Sequence, residues 1–142
     1  MRYLLVLLTT ILMLSLTACS DEVNTNTTND TPLPSSSASS VSASAGKALF
    51  NQKLIDIQPG CITCHSLEKG VKLVGPSLAG IGKRAGTTVE GQPAEEFLRN
   101  AIIKPDDYVS EGFSAGQMPE RIANVLTQEQ ADSLVLYLLT LQ

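Results

Sequence analysis

Residues 61–65 read Cys61-Ile62-Thr63-Cys64-His65. Two thiols three positions apart with a histidine directly behind them match the attachment signature of a c-type haem. Each cysteine can form a thioether to one vinyl group, and the histidine is then held beneath the iron as the proximal ligand. Three other uses of a Cys-x-x-Cys pair fit this chain less well. A thioredoxin-like redox pair wants a strand–helix–strand setting, and no alternating run flanks the motif. Structural zinc wants four ligands, and the remaining chain offers no second histidine and only Cys19. A disulfide between Cys61 and Cys64 leaves His65 without a role.

The rest of the composition agrees with a cofactor-filled core. The chain has 142 residues, enough for one domain, with 4% aromatic residues and no Trp. Its core therefore needs bulk from elsewhere, and a haem provides it. The formal net charge of -4 argues against nucleic acid as a partner. Three cysteines leave none for a disulfide framework once the haem and the N-terminus are served.

The N-terminal residues read as a targeting signal. Met1-Arg2 is a short positive region, and Tyr3 to Leu16 is an apolar run too short for a comfortable span of about 20 residues. The run ends in Leu16-Thr17-Ala18-Cys19, which resembles the lipobox of bacterial lipoproteins. The resemblance implies cleavage before Cys19 and a diacylglyceryl group on its sulfur. Residues 1–18 are thus expected to be a lipoprotein signal peptide. From Cys19 to residue 43 the chain is rich in Ser, Thr, Asn and Pro and lacks an apolar period, so it is expected to be a flexible tether. A domain covering 44–142 follows.

Within that domain only helical signals stand out. Ala48, Leu49, Phe50, Leu54 and Ile55 suggest a first helix from Gly46 to Ile57, ended by Pro59-Gly60. Residues 70–91 hold six glycines and read mostly as loop. Pro93 followed by Glu95 and Glu96 starts a second helix, whose apolar face is Phe97, Leu98, Ala101 and Ile102 and whose stop is Pro105. Thr127-Gln128-Glu129-Gln130 is a capping box, with Leu126 and Ala131 placed as a hydrophobic staple. A last helix carrying Leu134, Val135, Leu138 and Leu141 follows. No strand pattern competes.

From Gly46 to the C-terminus the chain resembles the class I c-type cytochromes. Gly46, Phe50, Leu134 and Tyr137 match the family positions at which the first and last helices cross. The resemblance implies an all-α fold, three to five helices wrapped around one haem c attached through Cys61 and Cys64. The class needs a soft or imidazole sixth ligand far from the haem motif. Only Met118 among Met1, Met13 and Met118 survives signal cleavage. It stands in Gly116-Gln117-Met118-Pro119, which resembles the family's ligand loop, so the expected iron ligands are His65 and Met118.

Other positions follow from the same resemblance. Gly75-Pro76-Ser77-Leu78 is similar to the family loop whose proline carbonyl accepts the Nδ1–H of the axial histidine, which assigns that role to Pro76. Leu78 is expected on the haem face. Arg84, or Lys83 one residue away, stands near the position of a family arginine beside a haem propionate. Tyr108 and Phe113 are expected to line the haem crevice. The loop from Pro105 to Met118 is similar to cytochrome domains of bacterial haem–copper oxidases and to the monohaem lipoprotein subunit of alternative complex III.

The implied function is transfer of single electrons, not enzymic turnover, with no small-molecule substrate. Its partners would be redox proteins of a bacterial membrane: a quinol-oxidising complex, a terminal oxidase or a reaction centre. Location would be extracytoplasmic, at the periplasmic side or cell surface, through the lipid on Cys19. Two alternatives stay open at this point: a fixed subunit of a quinol-oxidising or oxidase complex, and a haem-based sensor or ligand binder. Charge is uneven, with residues 45–84 net positive and 85–142 net negative. Lys69 and Lys72, close to the haem motif, would steer an acidic redox partner.

Overall fold

A computed structural model gives the fold and describes residues 40–142. The signal segment, Cys19 and nearly all of the expected tether lie outside the described residues. Among those described there are six helices and one two-stranded ribbon. The class is all-α as expected, with more helices than the three to five foreseen, because two are only four and five residues long.

Helix α1 (Ala43–Phe50) begins at Ser42, whose side chain accepts from the Ala45 N–H at 3.1 Å. It buries Gly46, Leu49 and Phe50 and ends at Asn51, well short of the expected Ile57. The chain instead turns back on itself. Strands β1 (Leu54–Ile55) and β2 (Gln58–Pro59) pair antiparallel, with Ile55 opposite Gln58. The connecting Asp56 has φ +53, the left-handed start that a two-residue hairpin turn requires. This reversal buries Ile55, which a continued helix was expected to do, and leaves Leu54 exposed. Gly60 closes the hairpin by donating to the Lys53 carbonyl at 2.8 Å.

The haem motif itself forms a single helical turn, α2 (Cys61–Cys64), closed by a bond from the His65 N–H to the Cys61 carbonyl at 2.9 Å. Residues 66–80 then fold back over it. Gly75 N–H donates to the Cys64 carbonyl and Leu78 N–H to the Ser66 carbonyl, both at 2.8 Å.

Helix α3 (Ile81–Thr88) occupies part of the stretch expected to be loop. Gly82 and Gly86 weaken its intrinsic propensity, and tertiary contacts supply what the local sequence lacks. Ile81 and Ala85 are buried. Gly82 N–H donates to the Leu141 carbonyl at 2.8 Å, and a Cβ at Gly82 would run into the Leu139 carbonyl. Helix α4 (Ala94–Ile103) starts after Pro93, carries Glu95 and Glu96 in its first turn, and buries Phe97, Leu98 and Ile102. Helix α5 (Arg121–Val125) was not expected; it buries Ile122.

Helix α6 (Gln128–Leu139) begins with the capping box read from the sequence. The Thr127 side chain accepts from Gln130 N–H at 3.2 Å, and the Gln130 side chain accepts from Thr127 N–H at 2.9 Å. Leu141 lies past its end. Helices α1 and α6 cross at Gly46, where any Cβ would collide with the Ser133 carbonyl. Beside the crossing, the rings of Phe50 and Tyr137 meet at 5.5 Å with planes tilted by 59°. Helix α4 is tied to α6 by an ion pair between Arg99 and Asp132.

Two glycine substitutions separate close approach from propensity. Gly46→Ala forces α1 away from backbone, and overpacking of this kind costs about 2–3 kcal/mol or more, so the urea midpoint of the haem-loaded protein is expected to fall by about 1 M or more. Gly86→Ala adds a Cβ within ordinary contact of Ala94, at 3.6 Å, and is expected to raise the midpoint through helix propensity of up to about 1 kcal/mol. Equal effects of the two would contradict the crossing.

Candidate haem site

One apolar cleft opens between the haem motif and the segment that joins α4 to α5. Cys61, Cys64, His65, Pro76 and Leu78 line it, together with Tyr108, Phe113 and Met118 from the α4–α5 segment. Phe97, Leu98, Leu134 and Leu138 lie at its base. The cavity volume is about 270 Å³. Its lining is mostly apolar, and apolar surface left facing water forgoes the hydrophobic stabilisation that burial would give. The apolar walls therefore call for a large apolar group between them.

The histidine is prepared on the cleft wall. His65 Nδ1 lies 2.9 Å from the Pro76 carbonyl. A carbonyl can only accept, so Nδ1 carries the proton and Nε2 keeps its lone pair. Burial pushes the imidazole below its ordinary pKa and the Pro76 bond partly opposes this, so the ring is neutral at pH 7 and able to ligate a metal. Its position depends on Gly75, which the sequence marks only as the first residue of the Gly75-Pro76-Ser77-Leu78 loop. A Cβ on Gly75 would stand 2.5 Å from His65 Cε1 and 2.8 Å from Nδ1. Gly75 therefore makes room for the ring face; the signal available was its place directly before Pro76.

The cysteines fit thioether attachment better than dithiol redox chemistry. Neither is in a disulfide, and burial pushes the Cys61 thiol up to about 11. Thiol–disulfide exchange uses lowered thiol pKa values at electropositive sites, the opposite of this wall. Among the described residues no cluster of three or more His, Cys, Asp or Glu could hold a metal ion by itself.

The remaining expected residues fall as follows. Leu78 is half-buried and packs against the core. Tyr108 stands edge-on to Phe97, with centroids 5.2 Å apart, and remains 39% exposed at the cleft mouth. Phe113 is half-buried under the Lys72 ammonium, which lies 5.6 Å from its ring centroid. This contact joins the loop after His65 to the loop before Met118, because Lys72 belongs to the first and Phe113 to the second. Met118 is half-buried, packs on the core and borders the same cleft as His65. Of the two basic candidates, Arg84 borders the cleft and Lys83 does not. The Arg84 guanidinium donates to the Ser77 carbonyl at 2.7 Å and to the Ala79 carbonyl, so it also pins the loop that holds Pro76. Cys19 lies outside the described residues.

Fold and cleft together define a small all-α protein built to hold one flat apolar prosthetic group by two thioethers. A family model described as Cytochrome c matches residues 43–142, and the chain belongs to the cytochrome c family. Comparisons with curated proteins and with solved structures gave no match. Membership means one covalently bound haem c on Cys61 and Cys64 and a haem-based role in electron transfer. The residues present fit that group: free thiols at the motif spacing, a neutral histidine behind them, and apolar walls.

Proposed function

We propose that this chain is a membrane-tethered, extracytoplasmic monohaem electron carrier whose iron is held between His65 and Met118. It passes single electrons between redox proteins of a bacterial membrane, from a quinol-oxidising complex to a terminal oxidase or reaction centre. One observation carries the ligation: the lone pair of the neutral His65 and the thioether of Met118, the one methionine among the described residues, belong to borders of the same apolar cleft.

The haem supplies a one-electron Fe(III)/Fe(II) couple. The chain's own residues set its terms. Pro76 accepts the Nδ1 proton, orients the His65 ring and raises its basicity. A thioether from Met118 favours ferrous iron and raises the potential relative to a second imidazole. Held there, the thioether would also keep small ligands from the iron, which favours electron transfer over ligand sensing. Phe97, Leu98, Leu134 and Leu138 keep water from the inner part of the cleft.

The tether reading rests on the lipobox-like Leu16-Thr17-Ala18-Cys19 and the polar stretch after it. One acyl chain anchors marginally, and two or three anchor stably. Among the described residues no helix is long and apolar enough to cross a membrane. Lys69 and Lys72, both exposed beside the His65 loop, steer an acidic partner toward the cleft mouth.

Met118→Ala is expected to lower the reduction potential and to convert a ferrous protein that resists carbon monoxide into one that binds one per haem. An unchanged potential and continued resistance would refute Met118 ligation. Cys19→Ser is expected to move the haem protein from the membrane fraction to the soluble extracytoplasmic fraction. Retention on the membrane would refute the lipid tether. Electron-transfer rates with the partner are expected to fall as ionic strength rises past about 0.1 M, where the Debye length shrinks to about 10 Å; a rate independent of salt would refute steering by the lysines.

A further inference from the structure

The segment that carries Met118 has little regular structure of its own. From Lys104 to Glu120 the chain forms no helix or strand. Its backbone bonds are local turns: Asp107 N–H to the Lys104 carbonyl at 3.1 Å, Phe113 N–H to Ser110 at 3.1 Å, and Gln117 N–H to Ser114 at 3.4 Å. Each joins residues three apart, and none ties the Met118 end to the α4 end; past Met118, the Pro119 and Glu120 carbonyls accept from the Ile122 and Ala123 N–H groups, both at 3.1 Å. One side-chain bond spans the gap. Asp106 Oδ1 accepts from the Gly116 N–H at 2.8 Å, across ten residues. Gly116 has φ +75, a conformation glycine takes without strain, and it aims that N–H at the carboxylate. The Gln117 side chain tightens the same turn by accepting from Ser114 N–H at 3.0 Å. Asp106 follows Pro105, which is buried against the end of α4, so the carboxylate is held from a fixed point. It also borders the cleft.

We infer that Asp106 is a positioning residue, whose carboxylate holds the Met118 segment against the cleft and so keeps small exogenous ligands off the iron face that Met118 covers. The inference rests on Met118 ligation. A thioether is a neutral, weak donor, so its hold depends on how readily its segment departs. A carboxylate accepting a backbone N–H makes a charge-assisted bond, about twice as strong as a neutral one. The bond is exposed and so partly screened by solvent, and its loss raises the population of the detached segment by roughly several-fold. The apparent affinity of a competing ligand scales with that population.

Imidazole titration of the ferric, haem-loaded full chain tests this, with Asp106→Ala, Asp106→Asn and Met118→Ala compared at one pH and one salt concentration. Asp106→Ala is expected to lower the apparent Kd for imidazole roughly several-fold toward that of Met118→Ala. Asp106→Asn, which keeps a neutral acceptor in the same shape, is expected to fall between Asp106→Ala and the wild type. A role in overall stability alone would lower the urea midpoint and leave the titration where it was. If Asp106→Ala yields no folded protein, the isosteric Asn variant carries the test, with a Kd about twofold tighter expected. Titration of the Asp106 variants like the wild type, beside tight binding by Met118→Ala, would overturn the inference and leave the ligation standing. Titration of Met118→Ala like the wild type would overturn both.

Discussion

The molecule depends on one close approach, the backbone of α1 against the backbone of α6 at Gly46 and Ser133. With no side chain between them, Leu49, Phe50, Leu134 and Tyr137 interlock on either side of the contact, and all four are buried. The crossing joins the two ends of the domain, so everything between is a closed circuit. Leu134 and Leu138 face the cleft from the same helix that Gly46 contacts. The base of the haem cleft is thus built by the element that closes the fold. A second approach, Gly82 against the end of α6, seats α3 and with it Arg84 on the cleft border.

The two borders of the cleft are held in different ways. On the His65 side the chain is laced to itself by bonds from Gly75 to Cys64, from Leu78 to Ser66 and from His65 to Pro76. Arg84 adds two further bonds to the carbonyls of the same loop. On the Met118 side the backbone makes only short turns, and side chains join its parts. A region with few backbone bonds and exposed turns opens at lower free energy than the global unfolding reaction. A firmly held imidazole opposite a thioether on a looser segment suits an electron carrier. In the proposed ligation, access of other ligands to the iron would depend on the Met118 segment.

Much of the site was legible in the sequence because its signals are local or scarce. Cys61, Cys64 and His65 announce themselves by spacing. Met118 stands out because the chain has so few soft donors. The capping box at Thr127 and the stop at Pro105 act within one helical turn, and both appear where the pattern put them. The misses have a common physical origin in contacts distant along the chain. Helix α3 persists despite Gly82 and Gly86 because α6 receives it. Helix α1 stops early because Ile55 finds burial through a hairpin instead of a continued helix. Gly75 reads as one more loop glycine until the His65 ring lies over it, and Asp106 reads as a surface acid until Gly116 folds back to it. The resemblance to c-type cytochromes supplied the Gly46 crossing, which periodicity alone would have left as a helix start.

Met118 ligation is tested most directly by nuclear magnetic resonance of the reduced, haem-loaded full chain labelled at its methionine methyl groups. In ferrous low-spin iron a methionine methyl bound above the macrocycle feels the ring current and resonates far upfield of the ordinary methyl region. The Met118 methyl is expected there, with no other methionine beside it. A Met118 methyl in the ordinary region, in protein that retains its covalent haem, would contradict the assignment of His65 and Met118 as the iron's two ligands.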